Sequence, residues 1–155
     1  MRFTSEWKYV ADINKARYKF LLISLTANKR LNSVSASPGV RVILAAIMEV
    51  EIGDIARFPS AEHLASYAGT TPRMHASGDH ARYGRTRPDV NRTLKWALAE
   101  AGNSVALNQA LFPVRHVSQL YWRVCERKGH PKAIRAVARH LAEGAFYLLS
   151  QQRFY

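Results

Sequence analysis

The run Pro72-Arg73-Met74-His75-Ala76-Ser77-Gly78-Asp79-His80-Ala81-Arg82-Tyr83-Gly84-Arg85-Thr86-Arg87-Pro88, continuing to Trp96, interrupts an otherwise helical sequence. From Pro72 to Trp96 it carries six Lys/Arg against two Asp, Asp79 and Asp89. Helical periodicity stops near Thr70 and resumes only after Pro88. Pro72, Gly78 and Gly84 punctuate two short stretches, Arg73–Ala76 and His80–Tyr83. These are expected either to stay as a basic loop or to pair as a small β-hairpin around Ser77-Gly78-Asp79.

Upstream, residues 5–30 read as one long helix, with Trp7, Val10, Asn14, Tyr18, Leu21 and Leu25 along one face. A single helix with so broad an apolar face is not stable alone, so it docks on the domain or on a second copy, and a homo-oligomer is expected. Asn28–Ser37 is polar and Ser-rich and reads as a joint. Pro38-Gly39-Val40 opens a helix to about Glu51, whose apolar face is expected at Val42, Ile43, Ala46, Ile47 and Val50. Gly53-Asp54 ends it, and Ser60 is positioned to cap a short helix, Ala61–Ala68, that stops at Gly69. Together these make the outline of a helix-hairpin-helix unit. Such a unit either holds a phosphate at exposed helix N-terminal amides or is purely structural. Arg41 stands where a second glycine would tighten the turn, and is itself a candidate phosphate contact.

Downstream, Pro88 is expected at the first turn of a helix to Asn108, with Asp89 complementing the helix dipole. Val90, Leu94, Ala97, Leu98, Ala101 and Val105 form its inner face. Phe112-Pro113 starts a helix to Lys128, with Val114, Val117, Tyr121 and Val124 inward and Gly129 as its stop. Pro131 opens the last helix, with Ile134, Val137, Ala138, Leu141, Ala145 and Leu148 in a continuous stripe. The fold class expected is mainly α: a helical domain with a helix-hairpin-helix-like unit, a basic loop or hairpin insertion and a long N-terminal helix. Residues 1–33 form the connector or dimerisation helix and 34–155 the helical domain.

A formal net charge of +12 in 155 residues implies a polyanionic partner, because so many cations without counter-charge repel one another in a compact state. Nucleic acid fits better than an acidic membrane surface, since every apolar stripe is used up in joining helices. The longest near-pure apolar run, Val42–Val50, is interrupted at Glu49 and is too short to cross a bilayer. With no signal-peptide pattern at the start, a cytoplasmic protein is expected. A lone cysteine, Cys125, excludes a disulfide framework and a Cys-cluster zinc site.

The chemistry gathers at His75-Ala76-Ser77-Gly78-Asp79-His80. Ser-Gly-Asp is ordinary turn composition, and that is its plain reading. The alternative is a nucleophile, because Arg73, Arg82, Arg85 and Arg87 surround the hydroxyl with the positive charge that attack on phosphorus requires. Gly78 leaves room for a DNA backbone to approach. Other templates fail. Asp79 and Asp89 fit no metal-loop spacing, the histidines lack zinc spacing, and no nucleophile elbow is present, so no metal ligand is assigned.

Taken in order, several motifs carry a resemblance. They are Pro38-Gly39-Val40; Glu51-Ile52-Gly53-Asp54-Ile55-Ala56-Arg57-Phe58; His63-Leu64-Ala65-Ser66-Tyr67-Ala68-Gly69-Thr70-Thr71-Pro72; Ser77-Gly78; Tyr83-Gly84-Arg85; Asn91-Arg92 with Trp96-Ala97; and Arg127-Lys128-Gly129. Over residues 34–155 this succession resembles the C-terminal, serine recombinase-like domain of the DEDD-type insertion-sequence transposases, which are guided by a bridge RNA. The resemblance implies a DNA recombination enzyme in which Ser77 is the catalytic nucleophile and DNA and guide RNA are the partners. Mg²⁺ belongs to a separate acidic nuclease domain, so no cofactor is expected in this chain. Arg41, Arg73, Arg82, Arg85, Arg87, Arg92, Lys95, Arg127, Lys128 and Arg135 are the candidate nucleic-acid contacts. No resolvase-like strand pattern with acids at its ends occurs here, so a fragment or truncated gene product is expected, inactive alone. The competing expectation is a nucleic-acid-binding module without chemistry.

Overall fold

The computed structural model describes residues 29–72, 74–77, 80–84 and 88–151, with residues 29–31 and the two strands as backbone only. The long helix expected over residues 5–30 lies almost wholly outside them. The described residues are mainly helical: α1 (Lys29–Ser35), α2 (Val42–Ile52), a 3-10 turn (Ile55–Arg57) and α3 (Ala61–Tyr67). The strands β1 (Met74–Ser77) and β2 (His80–Tyr83) follow, and then α4 (Arg92–Asn108), α5 (His116–Lys128) and α6 (His130–Gln151).

The last helix is the centre of the fold. α6 packs against α1, the 3-10 turn, α3, α4 and α5. All six residues of its expected stripe are buried, joined by Ala133, Ala142 and Leu149. Both helices bury many small residues, Ala97, Ala101, Gly102 and Ala106 on α4 and Ala133, Ala138 and Ala142 on α6, and they meet at Gly102, beside Ile134 and Ala138. Small residues let the helix backbones approach. A Cβ at Gly102 would stand 3.2 Å from the Ile134 carbonyl oxygen.

Four expectations are corrected. The polar stretch expected as a joint holds α1 from Lys29, because Val34 is fully buried and pulls the segment onto α2 and α6. The inner face of α2 is Ala45, Met48 and Ile52, while Ile43 is 68% and Val50 77% exposed. That helix is apolar nearly all round, so periodicity could not choose its face. α4 begins three residues after the expected Pro88–Asp89 start. Asn91 is its N-cap, accepting a hydrogen bond from the Leu94 amide at 2.9 Å, and Asp89 lies outside the first turn. α5 begins at His116 rather than at Phe112-Pro113, leaving Val114 before it and 84% exposed.

The insertion is an antiparallel ribbon with Met74 opposite Tyr83, His75 opposite Arg82, Ala76 opposite Ala81 and Ser77 opposite His80. The hairpin alternative therefore holds, shifted by one residue on the first strand.

Candidate nucleic-acid interface

The ribbon is tied to the helices at its foot. Gly69, at φ +65, ends α3 in a conformation that favours glycine, and a Cβ there would collide with the Val90 side chain at 2.8 Å. The strand-bearing segment leaves after Gly69 and returns at Val90, so both ends of the insertion meet at this contact. One residue further, the Asn91 amide nitrogen of the backbone donates to the Tyr67 carbonyl at 3.0 Å.

The Asn91 side chain fastens the rest. Its Nδ2 donates to Glu51 Oε2 at 2.6 Å and to the Tyr67 hydroxyl at 3.1 Å, while its Oδ1 caps α4. The cap decides the amide's orientation, because only Nδ2 can then face a carboxylate. Arg57 donates to the Glu51 carbonyl at 3.2 Å, and its guanidinium lies 4.6 Å from the Phe58 ring centre and 4.8 Å from that of Tyr67. The Asn91 hydrogen bond, followed by the Arg57 guanidinium, holds the Tyr67 hydroxyl below the usual tyrosine range against burial and the Glu51 charge. This knot joins α2, the 3-10 turn, α3 and α4 next to the Gly69–Val90 contact at the ribbon's foot.

Ser77 is the last residue of β1, opposite His80, with only Gly78 and Asp79 between the two strands. Register and the period-two pleat put residues 75, 77, 80 and 82 on one face of the ribbon and 74, 76, 81 and 83 on the other. Arg82 therefore shares a ribbon face with Ser77. Arg73, Arg85 and Arg87 lie outside the described residues. Arg92 is exposed at the start of α4 and Lys95 is half-buried one turn on, both on the helix that carries the ribbon's foot. Arg127 and Lys128 are exposed in the last turn of α5, where they also complement the helix dipole, and Arg135 is exposed on α6. The candidate contacts on α5 and α6 thus sit on other elements than the ribbon.

Arg41 is elsewhere again. It is the N-cap of α2 and makes no side-chain cap bond. It lines a cleft of about 360 Å³ shared with the end of α4 and the start of α5, including Ser104, Asn108, Arg115 and Ser118. Two groups escaped the sequence reading. Asn91 before Arg92-Thr93-Leu94 has the form of an N-cap, but the proline three residues earlier offered a competing start. Arg115 is not among the candidate contacts, and its neighbourhood with Arg41, 74 positions away, has no local signature. Among the described residues no three His, Cys, Asp or Glu side chains come together as a metal-binding group, and no helix is long and apolar enough to cross a membrane.

This architecture defines a basic, mainly helical domain that carries a serine-tipped β-ribbon on a braced foot. Residues 31–115, which include the knot, the ribbon and all of α4, match the Transposase IS116/IS110/IS902 family, and the chain belongs to that family. Over 124 residues, 79% of this chain and 29% of the relative, it is 32% identical to the insertion element IS110 uncharacterized 43.6 kDa protein of Streptomyces coelicolor. Over 51 residues it is 45% identical to the pilin gene-inverting protein of Moraxella bovis, covering 33% of this chain and 16% of that protein. A pilin gene-inverting protein from Moraxella lacunata matches equally over 51 residues. The chain spans less than a third of the length of these relatives.

Proposed function

We infer that this is the nucleic-acid-binding, nucleophile-bearing part of a DNA transposase, with Ser77 as the attacking group. The observation that carries the reading is the family match across the ribbon, in which Ser77 ends a strand beside a two-residue connection. Relatives named for an insertion element and for inverting a pilin gene point to rearrangement of DNA.

The chemistry is a transesterification. The Ser77 oxygen forms a bond to phosphorus as one bridging P–O bond to a deoxyribose breaks, and the leaving sugar oxygen takes up a proton. The Ser77 proton passes to His80, which lies opposite in the ladder, or to water. One phosphodiester replaces another, so the joint is chemically reversible and resealing needs no high-energy cofactor. Arg82, on the same ribbon face, together with Arg73 and Arg85, offsets the charge that gathers on the phosphoryl oxygens. We assign no metal to these residues, and Mg²⁺ to an acidic nuclease segment with which this domain completes a site. DNA and a guide RNA are the proposed partners, and the helix-hairpin-helix-like succession α2, 3-10 turn and α3 is a backbone-holding element. Residues 1–33 are proposed as the connector or oligomerisation helix, preceding a helical domain over residues 34–155.

The test combines the chain with the acidic nuclease part of a family member and a cognate DNA end, and looks for covalent protein–DNA adduct on a denaturing gel. Adduct that disappears in Ser77→Ala supports the assignment. Adduct persisting in Ser77→Ala removes Ser77 as nucleophile. Salt-dependent DNA binding with no adduct from the wild type leaves a binding module only.

A further inference from the structure

We propose that the cleft between Arg41 and Arg115 is a binding site for a backbone phosphate of nucleic acid, separate from the Ser77 ribbon. The proposal rests on the nucleic-acid reading above but needs no chemistry from Ser77.

Two helix N-termini open on this cleft. In α2 the first intrahelical bond runs from the Ala45 amide to the Arg41 carbonyl at 2.9 Å, and no backbone acceptor takes the amides of residues 42–44. In α5 the amides of Ser118 and Gln119 share the Arg115 carbonyl, leaving those of residues 116 and 117 without an intrahelical acceptor. Neither cap residue, Arg41 or Arg115, makes a side-chain cap hydrogen bond. Helix N-termini ordinarily favour a Ser, Thr, Asp or Asn cap that satisfies these amides. Here both carry arginine, a donor where an acceptor is wanted. An anion entering between them would accept from both sets of amides and both guanidinium groups.

The lining supports the same ligand. No Asp or Glu is among the cleft residues. The Arg115 guanidinium stacks on the Phe112 ring, 3.7 Å from its centre, which fixes the plane of the fork while leaving its N–H groups free at the edge. Ser118 is only 2% exposed and lines the cleft. Gly39 allows the opposite wall to come close. At φ +79, a Cβ there would lie 2.4 Å from the Ala101 carbonyl oxygen, so only glycine lets the 38–41 turn rest on α4. Arg41, Arg115, Ser104, Asn108 and Ser118 share the lining, and a phosphodiester accepts from donors of this kind.

The test measures binding of the wild-type chain, Arg41→Gln, Arg115→Gln, the double variant and Ser118→Ala to labelled duplex DNA and, separately, to labelled RNA across a salt series. Arg123→Gln, on the exposed side of α5, serves as a charge-matched comparison. Circular dichroism confirms that each variant keeps its helices. Each cleft arginine is expected to cost about tenfold in affinity and to lower the salt slope by about one, with the double variant about 100-fold weaker. Ser118→Ala is expected to lose about two- to threefold. Loss on DNA alone or RNA alone assigns the phosphate to that polymer. Wild-type binding that the double variant retains, or loses no more than Arg123→Gln does, overturns the cleft and leaves the nucleic-acid reading standing. A wild-type chain that binds neither polymer overturns both.

Discussion

The two ends of α4 are built by opposite rules. At Asn91 every polar group has a partner: the side-chain amide caps the helix, meets a carboxylate and a phenol, and leaves nothing over. Near Asn108 the reverse holds, with two helix N-termini capped by arginine and a buried serine hydroxyl facing a cleft. A closed polar network is worth most to the fold, because opening any member strands the others. An open set of donors contributes little to the fold and is matched to a ligand from outside. Stability and affinity should therefore be separable along a single helix.

The largest expected effect joins the two. Gly39→Ala forces a side chain into the Ala101 carbonyl at a positive φ, and should cost about 3–5 kcal/mol in denaturant unfolding. Because it lifts the turn off α4, it should also abolish cleft affinity in whatever fraction stays folded. Full stability in this variant would mean the turn does not rest on α4.

Asn91→Asp isolates the closed end. Aspartate caps a helix as well as asparagine does, but here it sets a carboxylate against Glu51. A loss of about 2–3 kcal/mol is expected at neutral pH. Like charges raise the folded pKa of the pair, so the folded variant binds more protons than the unfolded chain. Its deficit should therefore be largest at neutral pH and shrink as pH falls and one carboxyl protonates, as followed by thermal melts from pH 7 to 4. DNA affinity should stay near wild type. Arg115→Gln should do the opposite, with stability inside about 0.5 kcal/mol and affinity reduced.

Tyr67→Phe removes one hydrogen bond from the knot while leaving the Glu51 contact. Its expected cost is about 0.5–1 kcal/mol, read from the denaturation midpoint. A cost equal to that of Asn91→Asp would mean the phenol, not the carboxylate, holds the knot.

The smallest effect lies away from both ends. Burial, and then the facing His116 ring 4.9 Å away, hold the His140 imidazole below its usual range despite Glu143 nearby. The unfolded chain then binds more protons than the folded one as pH drops. Stability should be complete above about pH 6.5 and decline below it, and His140→Gln should flatten that slope.

The parts that were legible in sequence are those where local pattern and burial agree. All six residues expected on the inner face of α6 are buried, because its polar and apolar faces are sharply divided, though the helix opens at His130, one residue before the expected Pro131. The ribbon was legible because Gly78 and Gly84 break helical periodicity at hairpin spacing. α2 gave no such division, and α1 gave only a polar segment whose single buried valine decides its fate. The knot was half legible: Tyr67 and Asn91 stood within recognisable motifs, but that Asn91 bonds both Tyr67 and Glu51 requires separate elements to meet. Arg41 was legible as a candidate phosphate contact but the cleft was not, since residues 41 and 115 become neighbours only when α2 and α5 both dock on α4.

The close seam at Gly102 gives α4 a further consequence. Pinned at its middle to α6, this helix cannot flex between the ribbon's foot and the cleft, so it acts as a calliper. From Asn91 to Asn108 its jaws stand about 25 Å apart, at 1.5 Å per residue. That distance is about seven base-pair steps of a B-form duplex. Adding one residue to α4 would open the jaws by about 1.5 Å and turn one against the other by about 100°, whereas adding four would open them by about 6 Å and nearly restore their alignment.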